Sequence, residues 1–263
     1  MRFSITFQID SPLTLSLDES RAHLTAGLYA LLERSDPTYS RFLHDEGYPA
    51  RDESGRKFKL FTFSDLRAPR HRRRIDTERG RIVFGPGLLS WTVTSPLDEF
   101  CRHFAGGLLS EGFLQVGAAR LRATQIAVEP MPPWEREARF ICLTPIVAAR
   151  PRAGADGSGT EFLRPGKEPD AFSKAVHDNL LAKYAAVHGQ PPADAHFEMK
   201  FDEGYIARDK DAGMKRARFK ETDILGAYAP FAATGSPEML EMAWLAGLGS
   251  KTGLGFGCVE LAR

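Results

Sequence analysis

Glu129-Pro130-Met131-Pro132-Pro133 sets three prolines within four residues near the middle of a 263-residue chain. Proline lacks an N–H and has a fixed φ. A helix therefore cannot run through this segment, and a central strand would lose its ladder donors there. The expected boundary separates residues 1–130 from residues 134–263, two domains of ordinary size.

Outward from this break, both parts repeat one order of elements. In the first, Phe3, Ile5, Phe7 and Ile9 alternate with polar residues from Arg2 to Ile9, the period of a half-buried strand. A helix follows to about Arg34, with Asp18 or Ser20 placed to cap it and Leu24, Leu28, Leu31 and Leu32 at helical spacing. Strands are expected over Phe58 to Ser64, in a hairpin from Arg72 to Phe84 turning near Arg79-Gly80, and over Leu89 to Val93. A helix from Leu97 to Leu109 and a strand from Leu121 to Val128 complete this part.

The second part opens with a strand from Ala138 to Pro145. A helix follows from Asp170 to Val187, with Phe172, Val176, Leu180 and Leu181 on one face. Strands are expected at Phe197 to Ile206 and Lys215 to Ile224, a helix at Pro237 to Leu245, and a last strand at Leu254 to Leu261. Arg150 to Lys167, rich in Gly, Arg and Pro, reads as a loop. Strand, helix, strands, helix, strand occurs twice. The expected class is α+β, with two tandem ferredoxin-like βαββαβ domains.

Composition narrows the function classes. Hydrophobic residues make up 43% and charged residues 26%, as in an ordinary globular protein. The formal net charge is only +1, so any anion-binding role must come from local patches. Cys101, Cys142 and Cys258 have no zinc-ligand spacing and read as free thiols in a reducing compartment. No signal peptide is expected, and no apolar run approaches the roughly eighteen residues of a membrane span. The expected compartment is the cytoplasm.

Several features point to chemistry. The run Gly247-Leu248-Gly249-Ser250-Lys251-Thr252-Gly253-Leu254-Gly255-Phe256-Gly257 is glycine-rich around one lysine. It is neither a Walker A motif nor GxGxxG, and it lies between a helix and a strand. Exposed amides there form an anion nest, or the run is simply a glycine-rich turn. Tyr29 lies about 140° from Leu24 on the helical wheel, at the edge of the apolar face. His44 follows in Phe42-Leu43-His44-Asp45-Glu46-Gly47, which reads as a turn. Basic residues gather at Arg67, Arg70, His71, Arg72, Arg73, Arg74, Arg79 and Arg81, and again from Lys210 to Lys220 at Lys215, Arg216, Arg218 and Lys220. Such rows suit a phosphate backbone or form solvated charged faces. The glycine run with Lys251 is expected to hold phosphates, and the Lys215–Lys220 strand to track an RNA stem. Arg72 and Arg73 serve RNA or a partner subunit.

Together these residues resemble the Cas6 family of CRISPR repeat-processing endoribonucleases, in the RAMP superfamily. The resemblance rests on the helix with Tyr29, the segment ending at His44, Phe58-Lys59-Leu60-Phe61-Thr62-Phe63-Ser64, Leu143-Thr144-Pro145-Ile146 and the glycine run. It implies RRM-like ferredoxin-like domains facing each other across a cleft. It further implies cleavage of repeat RNA without metal or cofactor, giving 2′,3′-cyclic phosphate and 5′-hydroxyl ends. Matched by position, the active site falls on Tyr29, His44 and Lys59. The His-to-Lys segment is longer here, which makes Lys57 a rival to Lys59. The implied partners are the precursor and processed guide RNA and a CRISPR effector complex. Two other readings share the fold: a non-catalytic RAMP-type RNA-binding subunit and a small-molecule-binding protein.

Overall fold

The computed structural model describes residues 1–52, 55–151, 159–209, 211 and 213–262. Lys210 and residues 152–158 of the expected loop at 150–167 fall outside the described residues; on either side of them Ala149–Pro151 pairs with Thr160–Phe162, so this stretch is not simply a loop.

In the first half, Phe3, Ile5, Phe7 and Ile9 are buried while Ser4, Thr6 and Gln8 are half-exposed, so the strand Arg2–Ile9 has one core face. It lies at the centre of an antiparallel sheet in the order Thr62–Phe63, Gly87–Thr94, Arg2–Ile9, Ala119–Val128, Phe113–Val116. Helices α1 (Ser20–Ser35) and α3 (Asp98–Glu111) contribute Leu24, Leu28, Leu31, Leu32, Phe100, Phe104 and Leu108 to its core. Full burial of each such side chain contributes roughly 1.5–3 kcal/mol. The two helices cross closely, since a Cβ on Gly107 would lie 2.0 Å from the Leu31 carbonyl oxygen. Between them in sequence is α2 (Pro37–Asp45).

The second half repeats the pattern. Its sheet runs Phe197–Phe201, Phe231–Gly235, Glu137–Cys142, Val259–Leu261, and its core is completed by α4 (Pro169–His188) and α6 (Pro237–Ala246). In both sheets the first and third strands of the repeat lie side by side, with the second and fourth outside them. The chain therefore has two tandem ferredoxin-like folds. Separate apolar clusters run from Phe3 to Leu121 and from Phe140 to Val259, one on either side of the proline segment.

Several local expectations need correction. Neither Asp18 nor Ser20 caps α1; its N-cap is Glu19, with no side-chain bond. His44 is not in a turn but in the last turn of α2, whose N-cap Asp36 accepts from the amides of Thr38 and Tyr39, with Pro37 in the first turn. The Phe58–Ser64 strand is broken into Lys57–Phe58 and Thr62–Phe63 by Leu60, at φ 54°. The strand from Phe197 ends at Phe201, where Asp202 caps α5 (Glu203–Arg208). Lys215–Ile224 is a hairpin, Met214–Phe219 paired with Thr222–Ala227. The final strand spans only Val259–Leu261. The three cysteines are free and buried. Among the described residues, no helix is long and apolar enough to cross a membrane.

The halves are joined by buried polar contacts. Thr62 Oγ1 donates to the Phe256 carbonyl at 2.7 Å, and Arg67 pairs with Glu260 at 2.9 Å. Arg21 bonds the Gly255 carbonyl, pairs with Asp65 at 2.8 Å and stacks over Phe256 at 4.6 Å.

Because one aspartate caps the helix that carries His44, Asp36→Ala is expected to cost about 1 kcal/mol of stability. A lowered denaturant midpoint with an unchanged m-value is the expected result.

Candidate functional site

A cavity of about 670 Å³ opens between the halves. Helix α1 supplies Ala22, Thr25, Ala26 and Tyr29 to its wall, and the end of α2 supplies His44. Arg56, Lys57, Phe58 and Lys59 follow from the first half. The second half supplies Asn179 and Lys183 of α4, Phe219, Lys220, and the loop from Gly249 to Leu254. Among the described lining residues are Arg56, Lys57, Lys59, Lys183, Lys220 and Lys251, and no carboxylate. On a chain of net charge +1 this concentrates positive potential in one cleft.

Tyr29 and His44 meet edge to face, with ring centroids 5.4 Å apart. The Tyr29 ring also packs on Phe61 at 6.1 Å. Burial, helped by the Asp45 charge, pushes the Tyr29 pKa up, so its hydroxyl stays a donor at neutral pH. His44 is 71% exposed, and its Nδ1 lies 2.7 Å from Asp45 Oδ1. A carboxylate at that distance favours the Nδ1–H tautomer and leaves Nε2 free for proton transfer. The bond to His44 holds the Asp45 pKa low, aided by the charges of His44, Lys59 and Arg41. Lys59 Nζ donates to the His44 carbonyl at 2.6 Å. Burial lowers the Lys59 pKa, and Lys57 lowers it further against an opposing pull from Asp45.

Backbone strain gathers here too. The three non-glycine residues with left-handed backbone among the described residues are Leu60, Lys220 and Lys251, at φ 54°, 53° and 62°. Two of these line the cavity and the third follows Lys59. Non-glycine residues persist in this region only where the surroundings impose it, most often at functional sites.

The glycine run divides into two uses. Gly249, Lys251 and Gly253 line the cavity, whereas Gly247, Gly255 and Gly257 do not. Instead, Gly255 and Gly253 let the halves touch. A Cβ on Gly255, at φ +75°, would lie 2.3 Å from the Phe63 ring, and one on Gly253 would lie 2.8 Å from the Lys59 stem. A nest of free amides along the whole run is not what forms. The amides of Leu248, Ser250, Leu254, Gly255 and Gly257 donate to carbonyls within the protein.

The basic patches separate as well. Lys220 lines the cavity, but Lys215, Arg216 and Arg218 do not. Lys215 sits over the Tyr228 ring at 4.5 Å, Arg216 pairs with Asp223 at 3.4 Å, and Arg218 pairs with Glu221 at 3.1 Å. Arg72 donates to the carbonyls of Pro86 and Leu88, so its guanidinium is engaged with the start of the strand Gly87–Thr94. Arg73 is exposed and lines a second groove, beside Arg67. Sequence reasoning missed Asp45, Arg56, Asn179 and Lys183. The adjacency of Asp45 to His44 was the one available signal.

Comparison with known proteins fits this arrangement. Residues 18–127 match the family model for the N-terminal part of CRISPR-associated protein Cas6, and residues 129–261 match the model for its C-terminal part. The chain belongs to the Cas6 family. The CRISPR-associated endoribonuclease Cas6 1 of Methanocaldococcus jannaschii is 27% identical over 262 residues, covering 98% of this chain and 92% of the relative. The CRISPR-associated endoribonuclease Cas6 of Pyrococcus furiosus is 25% identical, covering 91% of this chain and 81% of the relative. A solved Cas6-related protein from Pyrococcus furiosus shares the fold at TM-score 0.81 and 20% identity, covering 100% of this chain and 98% of that one. A RAMP protein described as binding different RNA substrates does so at TM-score 0.80 and 21% identity, covering 100% of both chains.

Gly255→Ala combines a left-handed φ with a collision against Phe63. A loss of about 2–4 kcal/mol is expected, measurable as a lowered midpoint in equilibrium denaturation.

Proposed function

We propose that this chain is a metal-independent endoribonuclease that cuts CRISPR precursor RNA within its repeats. The observation that carries this reading is a lysine-lined cavity, with no carboxylate among its described lining residues, opening on the Tyr29–His44 pair. Such a cavity suits a phosphodiester, and membership of the Cas6 family, with relatives named CRISPR-associated endoribonucleases, supports a CRISPR RNA as its source.

RNA carries its own nucleophile, the 2′-hydroxyl beside the scissile phosphate. In this scheme His44 Nε2 accepts the proton of that hydroxyl as its oxygen attacks phosphorus. Asp45 steadies the imidazolium that forms. Tyr29 donates a hydrogen bond to a phosphate oxygen and sets the in-line geometry. Lys59 faces the charge growing on the phosphorane and passes a proton to the departing 5′-oxygen, a transfer eased by its lowered pKa. The bond from phosphorus to the 5′-oxygen breaks, leaving a 2′,3′-cyclic phosphate and a 5′-hydroxyl. The contact between Lys59 and the His44 carbonyl supports Lys59 over Lys57 in this role. Lys57, Lys220 and Lys251, with the amides opening the turn at Thr252–Leu254, hold flanking phosphates.

The wider reading follows from the same family. The division into residues 1–130 and 134–263 gives each half its own sheet and core. The protein acts in the cytoplasm on precursor RNA, keeps or releases the processed guide, and hands it to an effector complex.

His44→Ala is expected to slow repeat cleavage by about 10²–10⁴-fold while leaving RNA binding intact. Cutting by the wild type should persist in excess EDTA, and a repeat with a single 2′-deoxy nucleotide at the cut site should bind uncut. A strict divalent-metal requirement, or full activity in H44A, overturns the mechanism. In binding titrations Lys220→Ala should weaken affinity and reduce the salt slope by about 0.7, whereas Arg216→Ala, already paired with Asp223, should change both less.

A further inference from the structure

Lys183, on α4, is 1% exposed. Its Nζ donates to the carbonyls of Gly247 and Gly249, each at 2.8 Å, and its side chain belongs to the cavity wall. Burial pushes its pKa down to about 7. Among the described residues, the charged groups that share the cavity, Arg56, Lys57, Lys59, Lys220 and Lys251, are cationic. An ammonium taken out of water is costly unless a counter-charge meets it. A methionine would fill similar volume but leave the Gly247 and Gly249 carbonyls without this donor, so the lysine serves those carbonyls and not packing alone.

Its two bonds also orient the loop. The Gly247 and Gly249 carbonyls are engaged by the Lys183 amine, and the amides that follow them are fixed by the Gly257 and Val147 carbonyls. Bare carbonyl oxygens beside the cleft would repel a phosphate; capped by a cationic donor, they repel it less.

We propose that Lys183 is a positioning residue of the RNA site, capping the Gly247 and Gly249 carbonyls and setting beside them an amine that a backbone phosphate of the RNA holds in its charged form. This rests on the RNA-cleavage reading above and adds to it a residue that acts without touching the scissile bond.

The test uses the full chain as wild type, K183M, K183Q and K183R, with a repeat RNA made uncleavable by one 2′-deoxy nucleotide. Thermal unfolding of each variant is followed in parallel. Folded K183M and K183Q should bind about tenfold more weakly with a flatter salt dependence, and K183R should recover much of the loss. Single-turnover cleavage of the unmodified repeat at saturating RNA should stay within about threefold of wild type, because the reacting groups are untouched. Wild-type affinity in K183M, or a loss in the cleavage step with unchanged affinity, overturns the role given to Lys183. Failure of both neutral variants to fold overturns it too, by making the lysine a residue of the fold. No binding of the repeat by the wild type would instead bring down the RNA reading, and this inference with it.

Discussion

The site depends on how closely the glycine-rich loop of the second half approaches the Lys59–Phe63 segment of the first. Gly253 lies against the Lys59 stem and Gly255 against the Phe63 ring, with room for a hydrogen but not a methyl. Thr62 and Arg21 add hydrogen bonds to the Phe256 and Gly255 carbonyls. The contact sets the floor of the cavity where the two halves meet. Lys59 is pinned between the loop and the end of α2, and Lys251 is carried over the cleft by the turn that follows it.

Electrostatics then separate this cleft from the rest of the surface. The chain is nearly neutral, and many of its arginines are spent on acidic neighbours or on backbone carbonyls, as with Arg216, Arg218 and Arg72. The lysines around the cavity have no carboxylate beside them among the described residues of its wall. A basic stretch in sequence is thus a poor guide to where an anion goes. What decides is which cations are left without a partner after folding.

Much of the fold was legible because its signals are periodic. Alternation from Phe3 to Ile9, the leucine stripe of α1 and the proline break each follow from backbone geometry, and the repeated element order gave the ferredoxin-like class. The misses have equally local causes. Asp36-Pro37 is a helix-start signal that went unused, so Phe42 to Gly47, at the end of α2, was read as a turn. Leu60 and Lys220 adopt left-handed backbone that nothing in their side chains announces, which hid a break in one strand and a turn in another. Tyr29, His44 and Lys59 were brought together by resemblance, and the fold sets them around one cavity. Lys183 was invisible, since a lysine on a helix is ordinarily a solvated one. The glycines were noticed but misjudged: three serve packing or turning and do not face the cleft.

The contact between residues 62 and 256 spans 194 positions of sequence. During synthesis, α1, α2 and the first sheet can form long before the loop that completes the cleft leaves the ribosome. A nascent chain can therefore carry Tyr29 and His44 on a formed scaffold while half of the cavity wall is still missing. The cleft closes only when residues 249–256 reach a fold begun about two hundred positions earlier, and such long-range closure is slow compared with local folding.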